Sequence, residues 1–242
     1  MTNSSIERKI RAQLPFIRFF QSFIPLPLAH WLLKLGMSRV KLDPDVSHEP
    51  IRADGVPCEW IIPQGKPIDR VLLYLHGGGF VFGQTPQHMQ VGAYLAQKMG
   101  TRILMVDYRT APEFPFPAAL EDCTTVYLWL LAQGFSSSHI AVAGDSAGGN
   151  LAITMMLKLR EDHKPLPAGA AALSPVTDLS PRDENPGFKD PVLTPKTIKF
   201  YNQAYLQNSD PQNPLVSPVY GDLRGLPPIL VHVGEEDRKS VV

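Results

Sequence analysis

The sequence is poor in cysteine, since Cys58 and Cys123 are the only two among 242 residues. Two thiols are too few for a disulfide framework, and neither belongs to a spaced Cys/His cluster that would hold zinc. We expect both to be reduced thiols in the core. We predict no metal site and no cofactor.

An excess of charge of either sign is also missing, because 23 Lys and Arg residues balance 23 Asp and Glu residues. A chain without net charge creates no overall field that attracts nucleic acid or an anionic membrane. We therefore expect no nucleic-acid partner. A small neutral molecule fits this charge balance best.

The sequence has no long uninterrupted apolar run. Residues 14–35 are rich in apolar and aromatic side chains, but Pro15, Pro25 and Pro27 interrupt them, whereas a membrane-spanning helix needs about 20 consecutive apolar residues. Residues 1–13 lack the apolar run and the small-residue cleavage site of a secretory signal. We therefore predict no transmembrane segment and a cytoplasmic location.

Beyond the N-terminal segment, short apolar runs alternate with longer stretches of helical spacing. The first clear strand is predicted at 71–75, and further strands at 102–106, 140–143, 169–173 and 229–233. Helices are predicted at 87–99, 117–133, 147–161 and 195–206. Such an alternation is typical of an α/β protein with a mostly parallel sheet flanked by helices.

Two segments fall outside this alternation and have the character of a lid. Residues 180–218 are rich in Pro, Asn and Asp and contain only the predicted helix at 195–206. We divide the chain into an N-terminal cap segment of residues 1–50, a core of residues 51–179 and 219–242, and an inserted cap segment between them. Aromatic residues of the first segment would line an acyl pocket or form a packed core stripe; they are Phe16, Phe19, Phe20, Phe23 and Trp31.

The sharpest motif is GDSAGG at residues 144–149, between a predicted strand and a predicted helix. That context is the one required of a G-x-S-x-G nucleophile elbow. The sharp turn strains the backbone of Ser146, and Gly144 and Gly148 leave room for neighbouring chain. The Ala147 amide at the helix N-terminus would face developing negative charge. A phosphate-binding loop is disfavoured, because the segment lacks the GK[ST] ending of a P-loop.

A second motif, HGGGF at residues 76–80, directly follows the first predicted strand. The motif begins with His76 and Gly77, and backbone N–H groups of its glycine run would donate to the same developing negative charge. Taken alone, the run also fits a tight turn after a strand. Its position ahead of the elbow favours the pairing of the two motifs.

These motifs resemble the hormone-sensitive lipase family of α/β-hydrolases, and the resemblance covers most of residues 40–237. Asp145 before the serine indicates the family branch with a GDSAG sequence. Further segments that look like family signatures are DYRTAPE at 107–113, FPAA at 116–119, LSP at 173–175 and Asp178. The resemblance implies an α/β-hydrolase fold with a helical cap over a mostly parallel sheet.

The resemblance also implies roles for individual residues. Ser146 would be the nucleophile that forms an acyl-enzyme with short to medium acyl esters. Gly78, Gly79 and Ala147 would donate the oxyanion hydrogen bonds, while His76 would be structural. We interpret four charged or polar residues of the 107–113 segment as structural as well, because such residues beside a buried site usually fix loops; they are Asp107, Tyr108, Arg109 and Glu113.

The candidate acid is Asp237, on a turn after the last predicted strand, since the fold places the triad in the order Ser, acid, His. The resemblance selects it over Glu235 and Glu236, and a merely solvated acidic turn is the other interpretation. No histidine follows Asp237 in the sequence, so the chain has no residue in the place of the base. We therefore expect a C-terminal truncation relative to the family pattern.

Such a truncation would leave out the last strand and helix and leave the chain almost inactive as it stands. An uncovered sheet edge also predicts low solubility or a homodimer. Two functions stay open. The first is a carboxylic-ester hydrolase, which the intact elbow favours. The second is a non-catalytic ligand-binding protein of the same fold, or an inactive fragment, which the absent histidine favours.

Overall fold

The structure is a computed structural model, and it describes residues 8, 11–12, 14–15, 25–37, 42–65, 69–181 and 193–234. The strands in these ranges are β1 (Val46–Ala53), β2 (Val56–Pro63), β3 (Val71–Leu75), β4 (Arg102–Val106), β5 (Ile140–Asp145), β6 (Gly169–Leu173) and β7 (Ile229–His232). The helices are α1 (Leu26–Met37), α2 (Pro86–Met99), α3 (Ala118–Ala132), α4 (Ala147–Glu161) and α5 (Pro195–Leu206). None of these helices has the length and apolar content needed to cross a membrane.

The seven strands form a single sheet in the order β1-β2-β4-β3-β5-β6-β7. The five strands β3 to β7 pair with one another in parallel. Strand β2 pairs antiparallel with both of its neighbours, β1 and β4. The mostly parallel sheet predicted from the sequence is therefore confirmed. The helices at 147–161 and 195–206 also have the predicted bounds.

The sequence prediction missed the hairpin formed by β1 and β2. The first strand was expected at 71–75, but β1 already begins at Val46, within the segment 1–50 assigned to the cap. Most side chains of β1 are exposed, so the strand lacks a clear apolar alternation. It also contains a proline, Pro50, which is uncommon in strands. The Asp54-Gly55 turn, where φ is 47° and 91°, is a recognised hairpin signal that could have revealed the pair.

Helices cover both faces of the sheet. Met89 and Ala93 of α2 pack with Tyr74 and Met105 against one face, while α3 and α4 pack on the other. Both cysteines lie in the core between the sheet and α3, as free thiols, which confirms the prediction. Burial raises the pKa of both thiols, that of Cys58 to about 12.

Two helices outside the regular alternation contact the segment that follows β3. Tyr205 of α5 stacks on Phe80, with ring centroids 3.8 Å apart. His30 of α1 donates from Nε2 to the Val81 carbonyl at 2.8 Å. Trp31 is 58% exposed, so the expectation that it belongs to a packed core stripe is wrong. The same expectation named four further aromatic residues, which lie outside the described residues; they are Phe16, Phe19, Phe20 and Phe23.

Candidate active site

Ser146 lies on the sharp turn that joins β5 to α4. Its φ of 51° and ψ of −113° are unfavourable for a residue with a Cβ atom, as expected of a nucleophile elbow. The surroundings hold this conformation, because the Ser146 amide donates to the Leu173 carbonyl at 2.8 Å. The Ser146 carbonyl accepts from the amides of Asn150 and Val176, both at 3.1 Å. The side chain is only partly buried.

Two glycines allow the turn to pack closely against its neighbours. A Cβ atom on Gly144 would overlap the backbone of Gly148, and one on Gly148 would overlap the carbonyl of Leu75. Backbone atoms cannot move aside as a flexible side chain can, so neither position has room for a larger residue. This close approach explains why both positions are glycine, as predicted from the motif.

The segment between β3 and α2, residues 76–85, will be called the glycine loop. Strands β3 and β5 are parallel neighbours, and Leu75 at the end of β3 is in register with Gly144 near the end of β5. The glycine loop and the elbow therefore leave the sheet at the same level. The sheet topology brings together two motifs that are about 70 residues apart in the sequence.

The backbone N–H groups without a protein acceptor among the described residues of these two segments include those of Gly78, Gly79 and Ala147. Gly78 and Gly79 have φ of 132° and 61°, values that glycine adopts without strain. Free amides at a helix N-terminus and on an adjacent loop can stabilise negative charge on a bound oxygen. The arrangement is chemically suited to an oxyanion.

Asp145 connects the elbow to the start of the glycine loop and to the first turn of α2. Its Oδ1 accepts from the Tyr74 hydroxyl at 2.9 Å and from the Gly77 amide at 3.0 Å. Its Oδ2 lies 3.7 Å from Nε2 of His88. The Thr85 amide donates to Nδ1 of His88 at 3.1 Å, so the proton of a neutral His88 ring is on Nε2, toward Asp145.

The charge state of Asp145 follows from these contacts. Burial alone raises the pKa of this carboxyl group, but the His88 ring and the Tyr74 hydroxyl stabilise the carboxylate more strongly. The net effect lowers the pKa of Asp145 below its ordinary value of 3.8. Asp145 is therefore a carboxylate at neutral pH.

His76 is fully buried at the start of the glycine loop. Its ring stacks on Tyr108, with centroids 4.1 Å apart, and Nδ1 donates to the Gly77 carbonyl at 2.7 Å. The Tyr108 hydroxyl donates to the His76 carbonyl at 2.6 Å. Burial lowers the pKa of His76 to about 3, so the ring is neutral and packed inside, in agreement with a structural role.

The polar residues after β4 hold the backbone around the site. Arg109 donates to the Asp122 carboxylate of α3 from its backbone amide and from its guanidinium, at 2.8 to 3.0 Å. The backbone amide of Asp107 donates to the Pro57 carbonyl at 3.0 Å. Glu113 is exposed. The contacts of Arg109 and Tyr108 fit the structural interpretation, whereas within the described parts of the chain no contact of Glu113 supports it.

The third member of the expected triad cannot be placed, because Asp237, Glu235 and Glu236 lie outside the described residues. All seven histidines are described, and none of them forms a hydrogen bond or an ion pair with the Ser146 side chain. Their positions are His30 on α1, His48 on β1, His76 in the glycine loop, His88 on α2, His139 just before β5, His163 just after α4, and His232 on β7. The described residues also contain no cluster of metal-binding side chains.

Three residues around the site were not predicted from the sequence: Tyr74, His88 and Asn150. Asn150 on α4 is buried and donates from Nδ2 to the carbonyls of Val176 at 2.6 Å and Val216 at 2.8 Å, which fastens the neighbouring loops to the elbow helix. His88 stands three residues after Thr85, the spacing of a helix capping box. That spacing is a usable signal, whereas Tyr74 and Asn150 have none.

A family model described as alpha/beta hydrolase fold matches residues 72–239. The chain is 39% identical to an acetyl-hydrolase of Streptomyces hygroscopicus, over 74% of this chain and 61% of that protein. It is 35% identical to an esterase of Acinetobacter venetianus, over 81% of this chain and 65% of the relative. The chain thus spans less than two thirds of the length of these curated relatives.

Solved structures give the same result over more of the chain. A crystal structure of an esterase from the bacterial hormone-sensitive lipase family is 37% identical, with a TM-score of 0.84, and the match covers 98% of this chain and 80% of that one. A hormone-sensitive lipase from a metagenome library is 36% identical with a TM-score of 0.85, over 95% and 80%. This chain belongs to the hormone-sensitive lipase family of α/β-hydrolases.

Proposed function

We propose that the protein is a carboxylic-ester hydrolase whose nucleophile is Ser146. The observation that carries this proposal is the position of its partly exposed hydroxyl on a strained turn beside unpartnered amides. Those amides belong to Gly78, Gly79 and Ala147, which we propose as the oxyanion donors. A fixed donor set of this kind stabilises charge that develops in the transition state more than it stabilises the neutral ester.

In the proposed reaction the Ser146 oxygen attacks the ester carbonyl carbon, and the carbonyl oxygen becomes an oxyanion that the three amides bind. The C–O bond to the alcohol then breaks, the alcohol leaves with a proton, and an acyl-enzyme remains. Water attacks the acyl-enzyme and releases the carboxylic acid. The Ser146 side chain makes no capping hydrogen bond to α4, so its hydroxyl is available to the substrate.

Deprotonation of Ser146 needs a base, which in this fold is a histidine oriented by an acid. We propose Asp237 as that acid, on the residue order and on the resemblance to the family. None of the seven histidines forms a hydrogen bond or an ion pair with the Ser146 side chain in the structure. A polypeptide of residues 1–242 is therefore expected to react slowly at Ser146, because the oxyanion donors and substrate binding by themselves supply a ~10³- to 10⁴-fold advantage over water.

The proposed substrates are uncharged esters with short to medium acyl chains. The names of the relatives, an acetyl-hydrolase and an esterase, support this class. Helix α5 and the glycine loop provide apolar walls near the elbow, since Phe82 meets Tyr201 edge-on with ring centroids 5.8 Å apart. We propose that α1 and α5 belong to a cap that closes the site on this side.

Reaction with a fluorophosphonate probe and hydrolysis of p-nitrophenyl acetate test the proposal on the 242-residue chain. We expect slow labelling and slow turnover that both disappear in Ser146→Ala, and we expect added imidazole, a soluble base, to raise the turnover. The matched control is Ser174→Ala, since Ser174 also follows a strand and has a positive φ of 46°. This control should still be labelled.

A non-catalytic ligand-binding protein of the same fold is the second candidate, and the same experiment separates it from the first. It predicts that a short ester or its acid binds reversibly while neither labelling nor turnover depends on Ser146. Labelling that survives Ser146→Ala, or no labelling in the presence of imidazole, would decide for this candidate.

A further inference from the structure

The glycine loop leaves the sheet after β3 and leads into α2, and one carboxylate lies beside both the start of the loop and the first turn of α2. At the start of the loop the Gly77 amide donates to Oδ1 of Asp145. In the first turn of α2 the Nε2 atom of His88 lies 3.7 Å from Oδ2 of the same residue. Asp145 directly precedes the nucleophile, so its carboxylate links the elbow to the start of the glycine loop and to the first turn of α2.

Space at Gly77 shows how closely the loop and Asp145 are fitted together. A Cβ atom on Gly77 would overlap the Asp145 carboxylate and would lie 3.0 Å from the Asp145 carbonyl oxygen. The Tyr74 hydroxyl from β3 donates to the same carboxylate at 2.9 Å. The Tyr74 hydrogen bond therefore fixes Asp145 to the sheet, and Asp145 in turn fixes the glycine loop through the Gly77 amide.

A carboxylate is better suited to this position than a neutral side chain. Hydrogen bonds to an ionised acceptor are stronger than bonds to a neutral one; Tyr74 and Gly77 donate two such bonds, and the His88 ring nitrogen lies 3.7 Å away. The tautomer that the Thr85 amide imposes on His88 places the ring proton on the side of Asp145. No other acceptor competes for the Gly77 amide among the described residues.

We propose that Asp145 is a positioning residue that sets the oxyanion donors relative to Ser146 by holding the Gly77 amide and the His88 ring. This inference rests on the proposed function of Ser146. Asp145 does not touch the substrate, and its effect reaches the reaction through the backbone of Gly78 and Gly79. An acid before the serine thus has a task of its own in this chain, separate from that of the triad acid.

Amide hydrogen exchange of the 15N-labelled 242-residue chain tests the positioning without requiring activity. In Asp145→Ala we expect exchange at Gly77 to become about 10- to 100-fold faster, the factor associated with loss of a hydrogen bond to a charged group. Asp145→Asn keeps one oxygen acceptor and should show a smaller increase. Unchanged exchange at Gly77 in both variants would overturn the proposal.

The variant His88→Gln distinguishes two roles of His88: its contact with Asp145 and its hydrogen bond in the N-terminal cap of α2. Glutamine at the third helical position can still accept from the Thr85 amide, but it does not present the ring N–H to Asp145. We expect faster exchange in residues 83–85 with the α2 amides unchanged. The matched control is His48→Gln, because His48 pairs with the Glu59 carboxylate on the distal edge of the sheet, and this variant should leave the glycine loop as in the wild type.

Fluorophosphonate kinetics connect the positioning to the proposed chemistry. In Asp145→Asn we expect the first-order labelling step of Ser146 to slow while the reversible affinity for the probe is unchanged, because only the oxyanion donors shift. A loss of affinity alone, or a fall in melting temperature with normal labelling, would mean a purely structural role. If the wild type is not labelled at Ser146, the proposed function fails, and the exchange data still decide whether Asp145 holds the loop.

Discussion

At the scale of a single residue, His76 gives the fold a dependence on pH. Its ring is fully buried, and Nε2 has no hydrogen-bond partner among the described residues. Burial disfavours the imidazolium and lowers the pKa from 6.5 to about 3. Between these values the unfolded chain binds the proton more readily than the folded chain, so stability is present at higher pH and decreases as the pH falls.

We expect His76→Gln to remove this part of the pH dependence. Within the window, each pH unit changes the free energy of unfolding by about 1.4 kcal/mol per proton. Urea unfolding at several pH values between about 4 and 6 measures the slope. His139→Gln is the control, since His139 is an exposed histidine near Asp69. Equal slopes in the wild type and in His76→Gln would contradict the prediction.

At the scale of an element, α5 is attached to the glycine loop mainly through aromatic rings. Tyr205 stacks on Phe80 and meets Phe116 edge-on at 5.9 Å, and Tyr201 lies over Gly79, where a Cβ atom would overlap its ring. The backbone amide of Phe116 donates to the Tyr205 carbonyl at 2.9 Å. The helix therefore packs directly on the loop that carries two of the proposed oxyanion donors.

Tyr205→Phe is expected to stabilise the protein by about 1 kcal/mol, because it removes a buried hydroxyl that lacks a partner and keeps the stacked ring. The Tyr205 hydroxyl has no hydrogen bond among the described residues. Tyr127→Phe is the matched control of opposite sign, since the Tyr127 hydroxyl donates to the Pro165 carbonyl at 2.9 Å. Chemical denaturation of both variants measures the difference, and a destabilised Tyr205→Phe would refute the assignment of an unpartnered hydroxyl.

At the scale of the whole molecule, β7 is the last strand of the described sheet. It pairs with β6 on one side, and Leu230 and Val231 are 64% and 50% exposed. An exposed apolar edge strand promotes pairing with another chain. We propose that the 242-residue chain associates with itself through this strand.

Sedimentation velocity at increasing protein concentration tests the association. We expect the wild type to shift toward larger species and Leu230→Lys to stay monomeric, because a lysine on an edge strand opposes pairing. The matched control is Leu223→Lys, which adds the same charge at another exposed leucine that is not part of β7. Equal association of Leu230→Lys and the wild type would exclude β7 as the contact.

How far the sequence predicted this fold depends on how local each signal is. The helix at 195–206 and the elbow helix at 147–161 could be read from spacing and capping residues within a few positions. The β1–β2 hairpin was missed, because its strand side chains are mostly exposed and lack an apolar alternation. Its turn, Asp54-Gly55, was the one local sign of it.

The sequence by itself determined that Ser146 stands on a glycine-flanked turn between a strand and a helix and that a glycine-rich segment follows β3. Both are properties of consecutive residues, whose backbone preferences act locally. Only the tertiary structure decided that Asp145 bonds Gly77 and faces His88, and that His76 is buried on Tyr108. These contacts join residues far apart in the chain, and they form only when the parallel pairing of β3 with β5 and the packing of α2 bring the segments together.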